Sequence, residues 1–229
     1  MLCPACRAAL PSEARPAWPT PVPDGLVTPW ASGAYDGAVR ELVVGHKDRG
    51  QWGHRRVLGR LLAQSVRAAT AGLAPAPLVL VPVPSRPGAG RRRGYHPTLG
   101  LVRAAASEVT GPGRAEQVLV APLLVSRGAA DQAGLGAQDR ALNVAHSMRC
   151  TDRALARLAR GVEGRAVHVV VCDDVLTTGV TAREAQRALA AVGLAPVAVA
   201  AVAATRRRQG GGRGERPAGP AVGPGAGTE

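Results

Sequence analysis

The run Val167-His168-Val169-Val170-Val171-Cys172 leads straight into two adjacent acids, Asp173 and Asp174. It is rich in β-branched residues and holds no turn former. Such a run reads as a central strand, buried on both faces. Thr177-Thr178-Gly179-Val180-Thr181 follows as a turn, and a helix is expected from Thr181 to Val192. A strand of that kind needs a layer of helices on each side.

The rest of the chain supplies them. Val39, Leu42, Val43 and His46 share one face of a helix that begins after Tyr35. Val57, Leu58, Leu61, Leu62, Ser65, Val66 and Ala69 recur at helical spacing, with Arg55, Arg56, Arg60 and Arg67 opposite. Leu78 to Val83 has strand length, and Thr98 to Thr110 has helical spacing. Val118 to Val125 is a second apolar run, and Val197 to Val202 a last strand. Strand and helix alternating in this order predict an α/β fold, a mainly parallel sheet flanked by helices. The Pro-rich residues 1–29 read as an arm with little regular structure. Residues 30–205 read as the domain. Residues 206–229, rich in Gly and Pro, read as a disordered tail.

Aromatic residues are only 2% of the chain and Phe is absent, so the core must be built from Ala, Val and Leu. The formal charge is +13, and Lys47 is the single lysine among 29 basic residues. The tail holds five arginines and two glutamates, so ten of the thirteen net charges lie before it. A surface of that charge attracts phosphate groups. It cannot by itself choose among a small phosphate ester, nucleic acid and an anionic membrane. The longest apolar stretch, Leu189 to Ala204, is broken by Gly193 and Pro196. It falls short of the ~20 residues of a spanning helix. The N-terminus lacks the charged start and apolar core of a signal peptide. Four cysteines suggest no disulfide framework. The cytoplasm is the expected compartment.

Ligands of open α/β sheets bind beyond the carboxyl ends of the strands. Here that position carries two acids and a hydroxyl-rich turn entering a helix. Backbone N–H groups at the helix start, and the hydroxyls of Thr177, Thr178 and Thr181, suit a phosphate. Gly179 allows close approach of the backbone. Asp173 and Asp174 suit the vicinal hydroxyls of a sugar on that phosphate. The pattern therefore asks for a ribose 5-phosphate. There is no Gly-Lys pair of a Walker loop, and no GxGxxG after a strand.

Val169-Val170-Val171-Cys172-Asp173-Asp174-Val175-Leu176-Thr177-Thr178-Gly179-Val180-Thr181 resembles the diphosphoribosyl (PRPP) binding motif of type I phosphoribosyltransferases. Three further segments resemble the ComF subgroup. They are Tyr35-Asp36-Gly37 with Val39-Arg40 and Lys47; Val81-Pro82-Val83-Pro84-Ser85 with Arg93-Gly94-Tyr95; and Arg127, Gln132, Leu135, Arg140 and Asn143. The resemblance covers about Tyr35 to Thr205. It implies a type I phosphoribosyltransferase fold and transfer of a ribosyl 5-phosphate group from PRPP to a nitrogen acceptor it does not name. Pyrophosphate is released, and magnesium accompanies the PRPP.

On the same footing, Asp173 and Asp174 are expected at the ribose, Thr177 to Thr181 at the 5-phosphate, and Ser85 and Arg86 at the pyrophosphate. Arg91 to Arg93 are expected nearby. Arg127 and Arg140, with Gln132, belong to a loop expected to close over the reacting centre. Lys47 is a candidate ligand contact. The resemblance also implies an alternative, a non-catalytic accessory protein of DNA uptake that binds PRPP or single-stranded DNA beside a competence helicase. Few aromatics argue against a base-stacking platform.

ComF-like proteins commonly begin with two Cys pairs that bind zinc. Here only Cys3-x-x-Cys6 is present, and a structural zinc site takes four ligands. No zinc is expected in the chain as it stands. Either the chain starts late or the metal site has decayed. Tyr95-His96 also replaces the usual aromatic-Asn pair.

Overall fold

A computed structural model describes residues 2–85, 96–110, 117–126 and 146–205. Among them, the strands are β1 (Arg15–Pro16), β2 (Pro29–Ala34), β3 (Leu78–Pro82), β4 (Val118–Val120), β5 (Leu124–Ser126), β6 (Met148–Cys150), β7 (His168–Leu176) and β8 (Ala198–Ala204). The helices are α1 (Pro4–Ala8), α2 (Gly37–Asp48), α3 (Arg55–Thr70), α4 (Pro97–Val109), α5 (Asp152–Val162) and α6 (Val180–Ala190), with one 3-10 turn at Trp52–His54. The expected tail at 206–229 lies outside the described residues.

The main sheet has the order β1-β2-β8-β7-β3-β4. All its pairings are parallel except β1 with β2. β5 and β6 form a separate antiparallel pair. The chain is thus α/β, with a mostly parallel mixed sheet between helices.

β7 shows why the apolar run decides the fold. Val170 and Cys172 pack with Leu58, Leu62, Val66, Leu101 and Val102, under α3 and α4. Val169 and Val171 pack with Leu158, Ala185, Ala188 and Leu189, under α5 and α6. Alternate side chains fill two cores on opposite faces. The small residues this composition demands set the spacing. A Cβ on Gly59 of α3 would stand 2.7 Å from Cβ of Ala104 on α4. The two helices meet at that bare backbone. On its sheet side, α3 is tied to β8 by Ser65 Oγ, which donates to the Ala201 carbonyl at 2.7 Å.

Four expectations change. β7 does not stop at Cys172 but continues through both acids to Leu176, because β8 stays paired alongside it at Asp173↔Ala201, Val175↔Ala203 and Leu176↔Ala204. The run Val118 to Val125 is two strands, since Pro122 has no N–H for a ladder. α5 adds a helix. The arm is largely irregular, but Pro19 and Leu26 are buried, and β1 hydrogen bonds to β2.

Candidate functional site

From β3 the chain passes through α4 to β4 on one side. From β7 it passes through α6 to β8 on the other. α4 and α6 pack on opposite faces. The carboxyl ends of β3 and β7 therefore part at a topological switch point, where open α/β sheets form their ligand crevice. β3 follows β7 as far as the bond from Val83 N to the Cys172 carbonyl, 2.9 Å. Asp173 and Asp174 come next. Ser85 lies three residues past the end of β3 and is half-buried.

Both acids are held by their own strand. Asp173 Oδ1 accepts the N–H of Asp174 at 2.8 Å, and Asp174 Oδ1 accepts the N–H of Val175 at 2.9 Å. Asp174 is only 6% exposed. Its Oδ2 lies 2.6 Å from Nζ of Lys47, in the last turn of α2. Burial pushes the Asp173 carboxyl well above the usual carboxylate range. The charge of Asp174 and a hydrogen bond between the two carboxyl groups push the same way, and Lys47 opposes them only in part. Burial lowers the Lys47 pKa, but the acids facing it outweigh that and hold it above the ordinary lysine value. The cluster therefore sets the Lys47–Asp174 ion pair beside an Asp173 carboxyl whose pKa is pushed up.

The turn follows at once. Thr177, Thr178 and Thr181 are exposed. Gly179 precedes α6 at φ +73°, and no side chain caps the helix. The first N–H groups of α6 are thus left without a side-chain acceptor, and the helix dipole favours an anion there. Val180 opens the helix and is half-buried.

The N-terminal arm roofs this corner. A Cβ on Gly179 would meet Pro19 Cγ at 2.9 Å and Pro23 Cγ at 3.3 Å. The arm is fastened to α6 by Arg183 Nε donating to the Asp24 carbonyl at 2.7 Å. Gln186 adds a bond to the Gly25 carbonyl at 2.9 Å and accepts from Val27 N at 3.1 Å. Gly179→Ala should cost about 2 kcal/mol, from left-handed strain and crowding together. Urea unfolding measures it, and a loss below about 0.5 kcal/mol would show that the arm gives way freely.

The structure places Asp173 and Asp174 near the carboxyl end of the interior strand β7, with Lys47 against Asp174; Thr177, Thr178, Gly179, Val180 and Thr181 follow directly into α6, and Ser85 lies just past the end of the neighbouring strand β3. Arg86, Arg91 to Arg93, Arg127, Gln132 and Arg140 lie outside the described residues. Cys6 N donates to Cys3 Sγ at 3.3 Å. Among the described residues, no group of three or more His, Cys, Asp or Glu is placed to hold a metal ion.

Sequence reasoning missed Glu184. It is 4% exposed and accepts the N–H of Met148 at 2.9 Å, fixing β6 to α6. Arg187 donates to it at 2.7 and 2.9 Å and also to the Met148 carbonyl. The available signal was an acid set among Ala182, Ala185 and Ala188 on the apolar face, with an arginine three residues on. No helix among the described residues is long and apolar enough to cross a membrane. No protein-family model and no curated protein matches the chain.

Proposed function

We propose that the chain is a PRPP-binding phosphoribosyltransferase of the ComF type, with a type I phosphoribosyltransferase fold. The observation that carries this reading is the acid pair at the switch point, joined without a break to an uncapped, hydroxyl-lined helix start. One end of the site suits a sugar diol, and the other a terminal phosphate. The turn's hydroxyls and the first N–H groups of α6 hold the 5-phosphate. Asp174, clamped by Lys47, accepts from one ribose hydroxyl. Asp173 bonds the other as donor or acceptor, according to its proton. Ser85 and Arg86 hold the pyrophosphate, as the resemblance implies.

In the transfer, the bond from the ribose anomeric carbon to the diphosphate oxygen breaks, and its electron pair leaves with pyrophosphate. A bond from the acceptor nitrogen forms at that carbon, and the nitrogen sheds a proton. Positioning and charge do most of such work, which fits a site without an obvious general base. The acids do not form a resident metal cage, because Asp174 Oδ2 is already taken by Lys47. Magnesium comes in on the diphosphate, as part of the substrate.

Calorimetry with magnesium and PRPP tests the site. The native protein should bind, and Asp174→Asn should bind at least tenfold more weakly, the loss of one charge-assisted hydrogen bond. Equal binding by the two proteins would remove Asp174 from the site. Pyrophosphate release with a panel of nitrogen bases then tests turnover. Binding without release for every acceptor would make the chain a PRPP-binding module.

A further inference from the structure

The chain has four cysteines, all of them free thiols, and they fall into two kinds. Cys172 is fully buried in β7, where burial and the charge of Asp173 push its pKa far up. Cys150 is half-buried on β6. Its Sγ donates to the Ala188 carbonyl at 3.7 Å, and burial raises its pKa too. A thiol is a nucleophile only as the thiolate, so both are quiet. Cys3 and Cys6 differ. Cys3 is exposed and Cys6 partly so, and neither belongs to a hydrophobic cluster.

The start of α1 sets this pair face to face. Cys3 is the N-cap, in extended backbone at φ −66° and ψ 159°. Pro4 follows, and its ring suits the first helical position. The Cys3 side chain folds back over the first turn, and its Sγ accepts the Cys6 N–H at 3.3 Å. The Cys6 thiol hangs from the same residue as that nitrogen. Rotation about its Cα–Cβ bond therefore brings the sulfurs together with the backbone at rest. The turn itself is braced. Arg7 N donates to the Cys3 carbonyl at 3.0 Å and Ala9 N to the Ala5 carbonyl at 3.1 Å, while Leu2 and Leu10 on either side pack against the core that holds α3.

The same contacts divide the roles. The Cys6 N–H, and then the Cys6 thiol, favour negative charge on Cys3 and lower its pKa, whereas the Cys3 thiol raises that of Cys6. Among the described residues, no third His, Cys, Asp or Glu joins them in a metal-holding group.

We propose that Cys3 and Cys6 form a reversible dithiol–disulfide pair whose co-reactant is a small-molecule disulfide, with Cys3 as the attacking thiol and Cys6 as the resolving one. The Cys3 thiolate bonds to one sulfur of the co-reactant, whose S–S bond breaks and releases a thiolate. Cys6 then loses its proton and bonds to Cys3 Sγ, and the mixed S–S bond breaks to release the second thiolate. The pair gives up two electrons and both thiol protons, and the co-reactant leaves as two thiols. Excess small thiol runs the steps backwards. None of this depends on what the acid pair binds.

The test uses the full reduced chain and oxidised glutathione, followed by intact mass and peptide mapping. The native protein should lose the mass of two hydrogens, with the new bond between Cys3 and Cys6 and with Cys150 and Cys172 still free. Reduced glutathione should restore the starting mass. Cys6→Ser should instead accumulate one glutathione adduct per chain, on Cys3. Cys3→Ser should gain an adduct about tenfold more slowly, because the thiol it keeps is less exposed and less readily ionised. Both positions lie outside the packed clusters, so the serine variants leave the fold intact. A lasting adduct on the native chain would overturn the proposal, as would equal rates for the two serine variants. So would a zinc ion that binds the native chain and shields both thiols from the oxidant.

Discussion

Lys47→Met should destabilise the protein by about 3 kcal/mol, and adding Asp174→Asn should restore most of that loss. Methionine keeps the length of the side chain and removes the ammonium 2.6 Å from a carboxylate that is 6% exposed. The cost is the stranded charge on Asp174 rather than the lost attraction. The opposite single substitution should be milder, about 1 kcal/mol. Lys47 keeps 40% of its side-chain surface in water and can hydrate its charge there. Urea denaturation of the native protein, both single variants and the double variant measures all four corners. Equal single costs, or a double variant as weak as Lys47→Met, would show that the pair is not the electrostatic unit described. Asp173 adds a pH signature. Its raised pKa stabilises the fold below the unfolded value of 3.8, and that contribution is lost as pH rises through the folded value.

Glu184→Ala should cost about 3 kcal/mol and lower the melting temperature by about 9 °C. It leaves the Met148 N–H without its acceptor and Arg187 without its carboxylate. The strand it fixes, β6, pairs with β5, so the loss should loosen both from α6. Glu184→Gln retains an acceptor and should cost about half as much. The pH dependence runs opposite to that of Asp173. Burial raises the Glu184 pKa, but Arg187 and the backbone donors outweigh it and leave the value below 4.5. The stability it confers is present above that value and is lost as pH falls through the lowered one. The native protein should therefore lose an acid-side increment that the alanine variant lacks. A melting temperature within 2 °C of native would remove Glu184 from the anchoring role.

Elements with strong local periodicity were legible in the sequence. α3, β3, α4, α6 and β8 lie where apolar spacing places them, within a few residues. β2 was not legible, because Pro29-Trp30-Ala31-Ser32-Gly33-Ala34 has no strand pattern of its own. It is a strand because β8 lies beside it and Pro11 fills the space above Gly33. α5 was hidden by its arginines, although Leu155, Leu158 and Val162 hold a helical face. For the candidate site, the acid pair and the threonine turn were contiguous in sequence and could be read together. Lys47 stood out only as the single lysine. Its partner lies 127 residues away, and no local rule connects them. Glu184 was illegible for the same reason, since the N–H that demands a buried carboxylate belongs to Met148.

β2 has one parallel neighbour, and that neighbour is β8, the last strand described. During synthesis, the inner edge of β2 must therefore wait with its ladder groups open until residues 198–204 leave the ribosome. The arm waits as well, since its bonds to Arg183 and Gln186 reach almost as far along the chain. Closure of this kind is slow, because a long loop must be ordered before its contacts form. A nascent chain stalled before residue 198 would expose an unpaired edge to aggregation or to a chaperone.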